Sequence, residues 1–203
     1  DAMPRPIEFH FDFSSPYSYL ASEQIEPVAA RHGRTVEFKP VLLGAVFKIS
    51  GGAPLTELYG PKASYAKRDF ERSARYAGVP YRLPSRFPIA SVAAKRSVVW
   101  LQQHRPEFVV PFIHAVYRAF FVDDRDISDA AVVGEIAREV GIDPTELAAG
   151  MQQPETKERL RAQVEQAIQA GIFGAPTIIV DGEVFWGNDR IPQIERWLEK
   201  GSF

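Results

Sequence analysis

Strand-forming patterns are confined to the two ends of this chain. At the start, residues 7 to 13 alternate apolar positions with Glu8, His10 and Asp12, the period-two pattern of a strand. "PYSYLASEQIEPVAARHG" then keeps apolar residues near helical spacing as far as Gly33, with a kink expected at Pro27, where one helix hydrogen bond is lost. "RTVEFKPVLL" reads as a second strand, and parallel strands need such a helical crossover, so the opening is a βαβ unit. At the far end, "PTIIV" and "EVFWG" flank Asp181 and Gly182, a tight hairpin turn. A last helix is expected from about 189 to 200, stopping before Gly201. From about 56 to 170 the patterns are helical: 62–77, 90–104, 106–122, 128–140, 143–150 and 154–170. Ser128 is the expected cap of one of these helices, and Asp143, Pro144 and Glu146 open another. The arrangement predicts an α/β domain whose halves are residues 4–50 and 168–203, carrying an all-helical insertion at 51–167.

Composition narrows the chemistry. The chain has no cysteine, which removes disulfide exchange, thiolate nucleophiles and cysteine metal sites. Sulfur chemistry here needs a ligand that brings the sulfur. A net charge of −2 without a long basic tract argues against nucleic acid and anionic membrane surfaces as partners. The most apolar stretch, "FVVPFIHAVYRAFFV", is broken by Pro111, His114 and Arg118 and is too short to span a bilayer. The N-terminus lacks the charged region, apolar core and cleavage site of a secretory signal, so the cytoplasm is the expected compartment.

The junction "FDFSSPYSYL" places Ser15 one residue before Pro16, the arrangement of a helix cap followed by proline in the first turn. The hydroxyl therefore sits at the positive end of a helix dipole among unpaired N–H groups, a place that favours an anionic atom. The same residue also caps a helix in proteins with no chemistry there. "GNDR" at 187–190 opens the last helix, with Asn188 or Asp189 as its cap. His10, Asp12 and Ser15 do not make a hydrolase triad, since His10 and Asp12 project from one strand and no GxSxG elbow is present. Glu8, His10 and Asp12 share a strand face without a second ligand cluster, so no metal is expected. His32, His104 and His114 read as surface or satisfied core residues.

The strand-helix-strand opening, the active position at the first helix start and the late "FGAPT" before a ββα ending resemble the thioredoxin fold. In that comparison "SSPYS" stands where a cysteine pair would be, with Ser15 at the first cysteine's position. A more specific resemblance is to the kappa-class glutathione transferases and the bacterial 2-hydroxychromene-2-carboxylate isomerases of the DsbA family. It rests on "DFSSPYSYL" at 12–20, "PKASYAKRDF" at 61–70, "FGAPT" at 173–177 and "WGNDR" at 186–190. The resemblance implies a thioredoxin-like fold, a glutathione cofactor, a small aromatic substrate and a homodimer. Ser15 would activate the glutathione thiol. Glutathione would be held by Ser15, Lys62, Ala175, Pro176, Gly187, Asn188, Asp189 and Arg190, with Tyr17, Lys48 and Phe87 toward the substrate. Pro176 corresponds to a cis-proline, although as a residue it could equally be an ordinary strand-start proline. Lys48 and Lys62 could equally be surface lysines, and a lone Arg190 is most often simply solvated. Gly52, in "SGGAPL", departs from the asparagine common in kappa enzymes. The isomerase branch is the expected function, with a glutathione transferase or a non-catalytic glutathione- or peptide-binding module as alternatives.

Overall fold

The computed structural model describes residues 3–50 and 60–203. In chain order its strands and α-helices are β1 (Ile7–Phe11), α1 (Pro16–Arg31), β2 (Val36–Pro40), α2 (Leu43–Ser50), α3 (Pro61–Ala77), α4 (Val92–His104), α5 (Val109–Phe121), α6 (Ala130–Glu139), α7 (Pro144–Gln152), α8 (Pro154–Gln169), β3 (Thr177–Val180), β4 (Glu183–Trp186) and α9 (Ile191–Lys200). The chain divides into two compact units, Asp1–Gly52 with Ala167–Phe203, and Ala53–Gln166.

The first unit is built on a four-stranded sheet in the order β2-β1-β3-β4. β1 pairs in parallel with β2 and antiparallel with β3, which pairs antiparallel with β4. This is the thioredoxin-like arrangement, with βα units from one end of the chain and a ββα ending from the other. Ile7, Phe9 and Phe11 are fully buried, and Phe9 meets Phe38 edge-on at 5.3 Å between ring centroids. Glu8 pairs opposite Ile179, and directly paired residues point to the same face. That face is covered too: Ile179 packs on a cluster of Val41, Ala167 and Ile172, joined by Leu43 and Ala175. The two-sided cover explains why His10 and Asp12 are buried although the period-two pattern alternates them with apolar residues.

Several boundaries differ from the sequence expectation. β1 ends at Phe11 and not at 13, and the "VLL" assigned to the second strand leads instead into α2, a helix the sequence reading missed. Pro40 has no N–H to continue a ladder. Val41 makes one last N–H donation to Phe11 O (2.8 Å), and Leu42 O already accepts the helical N–H of Val46 (3.0 Å). Ser128 is not the cap of α6, because its hydroxyl is engaged by Asp126; the carboxylate of Asp129 accepts the Ala131 N–H instead. The last helix is split into a 3-10 turn, Asn188–Arg190, followed by α9. At the hairpin, Asp181 (φ 49°) and Gly182 (φ 89°) both take positive φ, as a two-residue turn of the primed type demands. α1 continues through Pro27, and no helix among the described residues is long and apolar enough to cross a membrane.

In the helical unit, α4 packs against α5, α6 and α7, and buries Val98, Leu101, Phe112, Val116, Phe120, Ile136 and Leu147. Asp143 caps α7 by accepting the Thr145 N–H at 2.9 Å, with Pro144 in the first turn. Gly150 of α7 lies against Trp100 of α4 so closely that an added Cβ would stand 2.3 Å from Nε1. Gly150→Ala therefore forces this helix pair apart despite alanine's better helix propensity, at a cost of about 1 to 3 kcal/mol. Thermal unfolding checks this, and a melting temperature equal to or above wild type would contradict it.

Candidate active site

The strand ends place the candidate residues of the first unit. β1 stops at Phe11 and β3 starts at Thr177, and because the two run antiparallel these termini lie at the same end of the sheet. β4 ends there as well, since Trp186 pairs with Thr177. The turn entering α1, the "FGAPT" loop and the "GNDR" turn therefore meet.

Ser15 is the N-cap of α1: its Oγ accepts the Ser18 N–H at 3.0 Å. The capping role uses only a lone pair of the hydroxyl. Its hydrogen is directed elsewhere, and Oγ donates to the carbonyl of Ala175 at 3.2 Å, across 160 residues of chain. Ser15 is 7% exposed, so this donor works close to the surface yet largely out of bulk water. The Ala175–Pro176 bond is cis, and so is Phe87–Pro88, which the sequence did not suggest. The Pro176 carbonyl accepts the Gly187 N–H at 3.0 Å and thereby ties the loop to the "GNDR" turn.

Neither Asn188 nor Asp189 caps the last helix. Gly187, at φ 114°, precedes the 3-10 turn and Arg190 precedes α9, both without a side-chain capping bond. The Asn188 side chain is used in another way, its Oδ1 accepting from Gln24 Nε2 at 2.9 Å, which fastens the turn to α1. A Cβ on Gly187 would meet Asp189 Oδ1 at 2.6 Å, so only glycine leaves room for that carboxylate to fold back. Asp189 and Arg190 are exposed.

Tyr17 is half-buried in the first turn of α1, and Lys48 is exposed in the last turn of α2, where a cation also complements the helix dipole. Lys62, exposed in the first turn of α3, and Phe87, which meets Phe70 edge-on at 6.2 Å, belong to the helical unit. Gly52 lies outside the described residues. The structure thus brings together Ser15, Ala175, Pro176, Gly187 and Asn188, with Asp189 next along the turn.

Sequence reasoning missed four supports of this cluster. Gln24 holds Asn188. Thr177 Oγ1 donates to Gly174 O at 2.7 Å. Trp186 covers Gly174 so closely that a Cβ there would stand 2.6 Å from its Nε1, and it meets Phe173 at 5.0 Å between ring centroids. Asp12, weighed in the sequence only as a triad member or a metal ligand, accepts from the N–H groups of Ser14 and Leu43. The Thr177–Gly174 and Asp12–Ser14 bonds are local, whereas Gln24 to Asn188, Asp12 to Leu43 and Trp186 over Gly174 join separate segments that no local pattern pairs.

Below the cluster, Lys39 Nζ lies 2.9 Å from Glu8 Oε1, and His10 Nε2 lies 3.4 Å from the same oxygen. Burial alone would raise the Glu8 pKa, but the hydrogen bond and charge of Lys39 hold it below the usual carboxylate range. Burial pushes the His10 pKa down, outweighing the opposing pull of Glu8, and neither ring nitrogen has a well-formed hydrogen bond among the described residues. Elsewhere, His32, Glu195 and Glu199 offer ligand atoms within 4.8 Å of one another, but Glu195 is already paired with Arg31 at 2.8 Å.

The model of the DSBA-like thioredoxin domain matches residues 6–199. The 2-hydroxychromene-2-carboxylate isomerase of Sphingobium xenophagum is 32% identical over 198 residues, covering 97% of this chain and 99% of that protein. Glutathione S-transferase kappa 2 of Caenorhabditis elegans is 28% identical over 204 residues, covering 95% of this chain and 91% of the relative. A solved 2-hydroxychromene-2-carboxylate isomerase superposes with a TM-score of 0.85 at 24% identity, covering 97% of this chain and 95% of that one.

The lowered His10 pKa gives a pH signature. Its folded pKa lies below the unfolded value of about 6.5, so protonation favours the unfolded chain. Its contribution is fully present above that value and is lost as the pH falls from there toward the folded pKa. His10→Gln is expected to flatten the decline in stability below about pH 6.5, read from denaturant unfolding at a series of pH values. Parallel curves for variant and wild type would contradict the assignment.

Proposed function

Because this chain belongs to the DSBA-like thioredoxin-domain family and is an enzyme of the isomerase and kappa-transferase type, we propose that it is a glutathione-dependent isomerase. Its substrate in this reading is 2-hydroxychromene-2-carboxylate and its product trans-o-hydroxybenzylidenepyruvate. The observation that carries the reading is the double use of Ser15, whose oxygen caps α1 while its hydrogen points to the Ala175 carbonyl. A thiol titrates near 8.5 unperturbed, so only a few per cent of bound glutathione would be thiolate at neutral pH without help. Turning the Ser15 hydrogen from Ala175 to the sulfur stabilises the thiolate at the helix N-terminus. The same movement frees the Ala175 carbonyl to accept an N–H from the cysteinyl part of glutathione. One internal hydrogen bond is exchanged for two to the ligand.

At the other end of the tripeptide, the start of the Asn188–Arg190 turn offers the Asn188 and Asp189 N–H groups to the γ-glutamyl carboxylate, while the Gly187 N–H stays on Pro176, and the Asp189 side chain receives the ammonium group. Gln24 fixes Asn188, and the Gly187–Pro176 bond sets the spacing between this subsite and Ala175. Arg190, Tyr17, Lys48, Lys62 and Phe87 enter the reading through the resemblance alone. The thiolate adds to the alkene carbon β to the ketone of the ring-opened substrate, and the π electrons move onto the carbonyl oxygen as an enolate. The former double bond rotates as a single bond. Collapse of the enolate restores the alkene and expels the thiolate, so glutathione is regenerated and nothing is oxidised. The reading includes a homodimer in the reducing cytoplasm.

The transferase likeness favours one alternative, in which glutathione leaves attached to an electrophile. Product analysis with 2-hydroxychromene-2-carboxylate, with and without glutathione, distinguishes them: free glutathione and the trans isomer are expected, and a stable conjugate would overturn the isomerase. Ser15→Ala should raise the pKa of bound glutathione and slow turnover roughly ten- to hundredfold, the worth of one charge-assisted hydrogen bond. Coincident titrations of thiolate absorbance in variant and wild type would leave Ser15 as a cap only. Asp189→Ala should weaken glutathione binding by calorimetry while leaving saturated turnover nearly intact, since the residue acts far from the sulfur. The opposite pattern would remove Asp189 from the ammonium subsite.

A further inference from the structure

Asp12 is a carboxylate that the chemistry above leaves unused, and at 3% exposed it is buried more deeply than Ser15. A charge in such a place is costly unless hydrogen bonds compensate it. Each of its oxygens meets a backbone N–H. Oδ1 accepts from Ser14 at 2.8 Å and Oδ2 from Leu43 at 2.9 Å. These amides belong to different segments, the turn that delivers Ser15 and the first residue of α2.

The Asp12 backbone is tied into the same turn. Its carbonyl accepts the Ser15 N–H at 3.1 Å, and its own N–H reaches Ser18 Oγ at 3.5 Å. The Ser18 N–H in turn donates to Ser15 Oγ. Both the amide and the hydroxyl of Ser15 are thus held in a network that the Asp12 carboxylate braces against α2, 31 residues away in sequence.

We infer that Asp12 is a positioning residue for Ser15: by bridging the Ser14 and Leu43 amides it fixes the turn from which the Ser15 hydroxyl is aimed. The inference rests on the reading of Ser15 as the donor to the glutathione thiolate. Without the carboxylate, two half-buried N–H groups lose this acceptor, the turn relaxes toward water, and the hydroxyl loses its fixed direction. A donor is effective in the transition state only while it is preorganised, so mispositioning it costs turnover more than ground-state binding. The γ-glutamyl end of glutathione is held elsewhere and should register the change little.

A double-mutant cycle on the intact enzyme tests this, with glutathione and 2-hydroxychromene-2-carboxylate as probes. Asp12→Ala is expected to lower kcat at least roughly tenfold while moving the KM for glutathione by less than about threefold. The decisive number is the effect of Ser15→Ala in each background. A roughly ten- to hundredfold loss in the parent should shrink to less than about threefold once Asp12 is alanine, because the hydroxyl is no longer aimed. A folded Asp12→Ala enzyme in which the two losses simply multiply, or one with wild-type kcat, would overturn the inference. If Asp12→Ala does not fold, the cycle is run on Asp12→Asn, which keeps the shape and one acceptor oxygen and should show an intermediate coupling; multiplying losses overturn the inference there too. A Ser15→Ala enzyme equal to wild type would sink the reading of Ser15 and this inference with it. A damaged Ser15→Ala enzyme with multiplying losses would sink the role of Asp12 alone.

Discussion

The candidate site exists because β1 pairs antiparallel with β3, with His10 opposite Thr177. That pairing joins segments more than 160 residues apart, and its direction decides which termini meet. The last residues of β1 and the first of β3 fall at one end of the sheet. β2 runs parallel to β1 and ends beside it, with Pro40 opposite Phe11, and β4 ends beside the start of β3. The starts of α1 and α2, the Ala175–Pro176 loop and the Gly187 turn are therefore delivered to one place by four strand termini. A one-residue slip of β3 would turn Ile178 and Ile179 to the wrong faces, so the packing that specifies the register also specifies the site.

Within that frame, the count of hydrogen-bond donors is what matters. A serine hydroxyl has one hydrogen and two lone pairs, and here one lone pair is spent on the Ser18 amide. Capping and donation are thus compatible, and the cap helps donation by fixing the oxygen. The hydrogen's present acceptor is the Ala175 carbonyl, a neutral group at 3.2 Å, which is a long and weak bond for an O–H donor. An anionic sulfur beside the same oxygen would be a stronger acceptor, so in the proposed reading a bound thiolate would draw the hydrogen away from Ala175.

Much of this was legible in the sequence, and the misses have physical causes. The βαβ opening, the hairpin at Asp181–Gly182 and the helix after Pro144 follow from periodicity and local turn chemistry, which act over a few residues. α2 was missed because "VLL" continues the apolar character of β2, and only the missing N–H of Pro40 marks where the ladder must stop. The caps of α6 and α9 were misplaced because each expected residue has a better partner nearby or in another element: Ser128 is taken by Asp126, and Asn188 by Gln24. The motifs at 12–20, 173–177 and 186–190 located the cluster. The braces behind it, Asp12 to Leu43 and Trp186 over Gly174, are tertiary contacts that no local pattern announces.

In the proposed reading, a serine where the thioredoxin resemblance has a cysteine moves the sulfur from the protein to the ligand, and that changes what the site must balance. A thiolate that adds to the substrate must also leave it. Stabilising the thiolate raises its population and improves it as a leaving group, but lowers its intrinsic nucleophilicity. Two helix starts and a hydroxyl donor at one point would push that balance far toward a stable, sluggish thiolate. The Asp12 carboxylate already occupies the Ser14 and Leu43 amides, so in that reading neither serves the sulfur and the movable hydrogen of Ser15 is left to support it. Because that hydrogen turns about its oxygen, in this reading its support of the sulfur can weaken as the carbon–sulfur bond forms and return as the bond breaks, while the Ala175 carbonyl keeps its bond to glutathione. A fixed cation could not follow the charge in this way, which gives a physical reason for a neutral hydroxyl at the point where the thiol must be both nucleophile and leaving group.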